Sequence, residues 1–156
     1  MRYMILNRQR AIRVSVPPLE KFLARVQLRL RIAPDRLSVA LVTNNAIAKW
    51  NSSYRGKSKP TDVLSFPAVT PDEPAPLKKR AGASASSAEK YSYLGDIAIA
   101  PAVARENARR FGRTFDAEMR ILILHGVLHL MGYDHETDNG QMERRERGLR
   151  RELGLA

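Results

Sequence analysis

The sequence contains no cysteine. Disulfides and thiolate metal sites are both excluded, and any metal site must be built from His, Asp and Glu. The same absence fits a reducing compartment, and a cytoplasmic protein is expected. Aromatic residues make up only 6% of the chain, too few for an extended base-stacking platform. No apolar run approaches the roughly 18 to 20 residues needed to cross a membrane, so no membrane partner is expected. The opening stretch Met1 to Arg8 lacks a long apolar run leading to a small-residue cleavage site. No secretory signal is expected there.

Acidic residues are also scarce relative to basic ones. There are 16 Asp+Glu against 27 Lys+Arg, a net charge of +11. Such an excess points to a polyanionic partner, nucleic acid being the commonest. A merely solvated, Arg-rich surface is the plainer reading. The excess is uneven: before residue 35, Arg2, Arg8, Arg10, Arg13, Lys21, Arg25, Arg29 and Arg31 face a single acid, Glu20.

The 156 residues, 44% of them apolar and 28% charged, suit one globular domain over residues 1–156. Residues 3–14 read as a first strand. Pro17 and Pro18 suit the first turn of a helix, along which Leu19, Phe22, Leu23, Val26 and Leu30 recur at helical spacing. Ala33-Pro34-Asp35 is expected to end it. Leu37 to Thr43 reads as a strand, and Asn44 as the cap of a short helix through Trp50. A basic loop from Tyr54 to Pro60 and a strand from Asp62 to Phe66 follow. Residues 68–90 hold Pro71, Pro74 and Pro76, then Lys78-Lys79-Arg80 and a Gly/Ala/Ser stretch. That composition predicts a flexible insert, because it can bury little surface. It reads as a tolerated insertion ahead of an RNA-contacting flap.

Tyr93 to Ala100 reads as a strand, and Pro101 starts a helix ending near Gly112. Thr114 can cap the next helix, Phe115 to Met131, which is apolar almost all round from Ile121 onward and is therefore expected to be central and buried. Gly132 can end it in a left-handed turn. Asp138 and Gln141 predict a capping box for a last helix.

All three histidines of the chain lie between His125 and His135. His125 and His129 are four apart on the predicted central helix, so they project from one face, a turn apart. Gly132 lets the chain turn back, and His135 then arrives as a third ligand. Three nitrogen ligands leave a zinc ion with an open position, the arrangement of a catalytic site. Nickel and copper also take imidazole, but the site type suits one zinc ion best. The spacing matches the histidines and glycine of the zinc-peptidase pattern H-E-x-x-H-x-x-G-x-x-H. The glutamate that serves peptidases as general base is replaced by Gly126. A carboxylate from elsewhere, such as Asp134 or Asp96, would have to stand in for it.

The run His125 to His135 resembles the signature of the YbeY family of bacterial endoribonucleases, H-G-x-L-H-L-x-G-Y-D-H, with every fixed position met. Two further stretches resemble the same family: Tyr54-Arg55-Gly56-Lys57-Ser58-Lys59-Pro60-Thr61-Asp62-Val63-Leu64-Ser65-Phe66-Pro67, and Leu94-Gly95-Asp96-Ile97. The likeness covers about residues 35–155, and the insert at 68–90 is longer than the family usually carries there. The resemblance implies an α/β (α+β) fold, one domain with a small mixed sheet packed with helices, whose central buried helix carries the metal ligands. It implies a metal-dependent, single-strand-specific endoribonuclease acting in small-subunit rRNA maturation and ribosome quality control. His125, His129 and His135 would be the zinc ligands. Arg55 matches the arginine of the family's R-G-K block, which faces the cleft and serves activity.

Physical chemistry agrees about Arg55. A guanidinium is planar, permanently charged, and binds phosphate through two parallel hydrogen bonds where charge builds during cleavage. Lys57 and Lys59 are weaker candidates for phosphate contact in the same loop, since a lysine in a loop is usually just solvated. Asp96 suits either of two roles, orienting a ligand histidine or capping its own turn. Either water or the neighbouring ribose 2′-hydroxyl can serve as nucleophile. Two other functions fit parts of the pattern. A noncatalytic RNA-binding ribosome-assembly factor with a structural zinc would explain the charge. A zinc peptidase would share the histidine spacing but lacks the glutamate.

Overall fold

The structure is a computed structural model that describes residues 4–56, 61–68, 93–134 and 138–155; of Tyr54 and Arg55 it describes the backbone alone. The sheet has four strands in the order β1 (Ile5–Asn7), β2 (Leu37–Leu41), β4 (Gly95–Ile99), β3 (Val63–Pro67). β1, β2 and β4 run parallel, and β3 is antiparallel to β4. The sheet is therefore mixed, as expected. Parallel neighbours need a crossover, and α1 (Val16–Arg29) supplies the one between β1 and β2. The remaining helices are α2 (Asn44–Arg55), α3 (Pro101–Phe111), α4 (Phe115–Leu130) and α5 (Gln141–Glu152).

Side chains alternate across a strand, and the core follows that rule. Leu37, Val39 and Leu41 of β2 and Ile97 and Ile99 of β4 join Leu19, Phe22, Leu23 and Val26 of α1 and the whole apolar length of α4. Ile123, Leu124, Val127 and Leu128 of α4 are completely buried. Each such side chain contributes about 1.5–3 kcal/mol on burial, so α4 is the element around which the others pack. Among the described residues, the other face of the sheet is covered only in part, where Ile47 of α2 meets Leu64, Ala98 and Ala100. Beside that cluster it opens into a trough of about 390 Å³ between Leu6, Trp50, Phe66 and Asp96.

Several boundaries differ from those the sequence suggests. The first strand stops at Asn7, not near residue 14. Gln9 causes this: its amide donates to the Ile12 carbonyl (2.8 Å) and accepts from the Ile12 N–H (2.9 Å), replacing a sheet partner with a local turn. α1 ends before Ala33, because Arg31 adopts a left-handed φ of 59° and Ile32 N–H closes back on the Gln27 carbonyl at 2.8 Å. The cap of α2 is Thr43, one residue earlier than Asn44; its hydroxyl accepts from Ala46 N–H at 3.1 Å. α2 runs on to Arg55. That arginine closes a helix and does not sit in the middle of a loop, and Gly56 follows with a φ of 72°. The insert expected at 68–90 lies, beyond Ala68, outside the described residues.

Candidate metal centre

α4 starts where the sequence places it. Thr114 accepts from Ala117 N–H at 3.1 Å, and Asp116 and Glu118 lie in the first turn, where the helix dipole favours acids. The end is equally well defined. Gly132 N–H bonds the His129 carbonyl (3.0 Å) and Tyr133 N–H the Leu128 carbonyl (3.1 Å), the pair of contacts of a Schellman turn. That turn needs a left-handed residue, and Gly132 has a φ of 100°.

His125 and His129 stand on one face of this helix, both half-buried, with their ring centroids 4.7 Å apart. Their Nε2 atoms converge to 3.1 Å. Two nitrogens on one tetrahedral zinc, each at roughly 2.0–2.1 Å, stand about 3.3 Å apart. The convergence thus fits a shared metal ion. Behind His125, Glu146 of α5 places Oε1 2.8 Å from Nδ1. A carboxylate on the far ring nitrogen is the usual support of a metal-binding histidine. On its other side, Arg150 Nη1 lies 3.9 Å from Glu146 Oε2.

α5 reaches this position through its buried Met142 and Leu149. Its start departs from the expected capping box by a shift of frame. The first-turn cap residue is Gly140, at a φ of 91°. Asp138 accepts from both Gly140 N–H and Met142 N–H at 2.9 Å, while Gln141 Oε1 accepts from Asn139 N–H at 2.6 Å. The two polar side chains do satisfy the helix start, but one residue out of register with the reciprocal pattern.

The family-like blocks have structural work of their own. Ser65 donates its hydroxyl to the Gly126 carbonyl at 3.1 Å, tying β3 to α4 between the two histidines. Asp62 accepts from Asn107 Nδ2 at 3.0 Å and so anchors the strand to α3. Asp96 fills neither role expected of it. It accepts from Ser38 Oγ at 2.6 Å and from the Tyr93 hydroxyl, on the face of the sheet turned away from α4. Burial, then the hydrogen bond to Asp96, raises the Tyr93 phenol above its usual range. Asp134 follows the Gly132 turn, and its carbonyl accepts from Asp138 N–H at 3.0 Å, drawing together the chain on either side of His135.

The structure thus brings His125 and His129 together and adds Glu146, which sequence reasoning missed. A signal for it existed. Met142, Glu146, Leu149 and Leu153 fall on one helical stripe, so Glu146 is a carboxylate within an apolar row. His135, Lys57 and Lys59 lie outside the described residues, as does the side chain of Arg55. Among the described residues no group of three or more His, Cys, Asp or Glu gathers to hold a metal.

Residues 5–154 match the family model described as Endoribonuclease YbeY. A Sulfurovum protein named Endoribonuclease YbeY is 35% identical over 153 residues, spanning 96% of this chain and 90% of the relative. A Koribacter versatilis protein of the same name is 38% identical over 152 residues, spanning 97% and 86%. A solution structure of a Thermotoga maritima protein matches with a TM-score of 0.54 and 28% identity, covering 96% of this chain and 87% of the other. With the match running through β1, the sheet and the paired histidines of α4 to the end of α5, the chain belongs to the endoribonuclease YbeY family.

Proposed function

We propose that this protein is a zinc-dependent endoribonuclease that cuts single-stranded RNA in the cytoplasm and acts on small-subunit ribosomal RNA during ribosome maturation and quality control. The observation that carries the reading is the convergence of His125 and His129 Nε2 to 3.1 Å, in a family whose curated relatives are named endoribonucleases. His125, His129 and His135 would hold one zinc ion, which supplies Lewis acidity toward a phosphoryl oxygen. Arg55, at the end of α2, would bind the phosphate as its charge grows, and Lys57 and Lys59 would hold neighbouring phosphates.

Gly126 speaks against a peptidase. The position that carries the peptidase glutamate here faces Ile97 of β4, not open space. Glu146 does not replace that glutamate, because it lies against Nδ1 of His125, on the ring edge away from the converging nitrogens.

The test is cleavage of a labelled single-stranded RNA by the full chain with zinc, with chelator, and by His129→Ala purified in parallel. Wild type with zinc should cut. Chelator and His129→Ala should both lower the rate, the variant by more than the roughly 10- to 100-fold that loss of a supporting partner costs. Equal cutting in all three arms would signal a contaminating nuclease. Binding without cutting by the zinc-loaded protein would leave a noncatalytic assembly factor as the better reading. The ends of the products identify the nucleophile: attack by the 2′-hydroxyl leaves a 2′,3′-cyclic phosphate, and attack by water does not.

A further inference from the structure

We infer that Glu146 is a positioning residue: it fixes His125 in the tautomer that carries its proton on Nδ1, so that the Nε2 lone pair faces His129. The inference rests on the metal reading for its purpose but not for its geometry. Glu146 Oε1 lies 2.8 Å from Nδ1, and the carboxylate is only 17% exposed. An ionised carboxylate accepts hydrogen bonds and cannot donate them, so Nδ1 must carry the proton of this contact. A neutral imidazole has one proton to place, and Nε2 then carries the lone pair. That is the form in which a histidine binds a metal.

The partners of Glu146 reinforce the assignment. Arg150, one turn further along α5, sets its guanidinium 3.9 Å from the second carboxylate oxygen and so helps to hold the carboxylate in place. The burial of Met142 and Leu149 on either side fixes the phase of α5, so that position 146 is held toward α4. The carboxylate is also on the wrong side of the ring to accept a proton from anything between the two Nε2 atoms. Its action on the site must pass through His125. A purely structural reading makes Glu146 a strut between α4 and α5, and that reading predicts a change in stability but none in tautomer.

Two measurements on the full chain separate these readings. The first is the nitrogen chemical-shift pattern of His125 in the zinc-free protein, which reports which ring nitrogen bears the proton. The second is zinc affinity, read by competition with a chromophoric chelator. Wild type should show His125 protonated on Nδ1. Glu146→Ala should lose that preference and bind zinc about 10- to 100-fold more weakly, the range for loss of a supporting partner. Glu146→Gln keeps the size of the side chain and an oxygen that can accept from Nδ1–H, so it should fold normally and recover part of the loss. An unchanged His125 tautomer in folded Glu146→Ala overturns the assignment, as does wild-type zinc affinity in that variant. Failure of the wild type to bind zinc overturns the metal reading instead, and the tautomer measurement then decides the role of Glu146 alone.

Discussion

A β-carbon placed on Gly126 would lie 2.8 Å from Cγ2 of Ile97 and within 3.2 Å of two more atoms of that side chain. Ile97 is completely buried in β4, one of the two inner strands of the sheet. The close approach of α4 to β4 at this point carries the histidines over the sheet, and it explains why a glycine stands in the middle of an otherwise apolar helix. Gly126→Ala brings two opposed effects. It improves helix propensity by about 1 kcal/mol, and it overpacks the helix–sheet contact at a cost of about 1–3 kcal/mol. A net loss of about 1 kcal/mol is expected, read as a lower denaturant midpoint. A midpoint above that of the wild type would mean that the contact is looser than the geometry indicates. The spacing of His125 and His129 is visible in the sequence, because i and i+4 always share a helix face. Glu146 is not visible in the same way, since its meeting with His125 depends on how two helices pack across 21 residues of chain. Its place in the stripe of Met142 and Leu149 marks it as unusual without naming its partner.

α5 carries Glu146, so whatever holds α5 also holds the site. Met142 near its start and Leu149 near its end are both buried. Its last residue is also fastened to α1 by Arg29, whose Nε and Nη2 donate to Glu152 at 2.7 and 3.2 Å. The hydrogen bond from Arg29, and after it the guanidinium charge, holds the Glu152 carboxyl below its usual range. A carboxylate with a depressed folded-state pKa contributes stability above its unfolded value of about 4.3, and the contribution disappears as pH falls through the folded value. Glu152→Gln should therefore melt slightly below the wild type at neutral pH. The gap should close in acid below the carboxylate range, and it should narrow in high salt, because the pair is about half exposed. A gap that persists in acid would assign the loss to packing and not to charge. Element boundaries were the least legible part of the sequence for reasons of this kind. The early end of the first strand follows from a side chain bonding its own backbone at Gln9. The frame shift at the start of α5 follows from Asp138 reaching two N–H groups at once. The long apolar run of α4, in contrast, had one reading at every position, and its cap, length and burial all followed.

At the scale of the molecule the chain carries a net charge of +11, and several of its acids pair with arginines. Glu118 pairs with Arg113, Asp116 with Arg120, Glu143 with Arg147, and Glu152 with Arg29. These four acids are held by arginines within the fold, and the surplus of the whole chain is basic, the sign that attracts a phosphate backbone. A strand that neutralises basic side chains releases condensed counterions, so affinity falls linearly in log–log form with salt, with a slope of about −0.7 for each phosphate contact on single strands. If about four phosphates are held, the slope is about −2.8, and each doubling of salt weakens binding about sevenfold. His129→Ala is the protein for this measurement, because it should keep the basic surface while leaving the RNA intact. Removing the imidazole changes no formal charge at neutral pH, so the variant and the chelated wild type should give the same slope. A steep common slope assigns RNA affinity to the basic surface and leaves the histidines to cleavage. A flat response would mean that the positive charge only solvates the protein, and that RNA, if bound at all, is held by contacts other than phosphate.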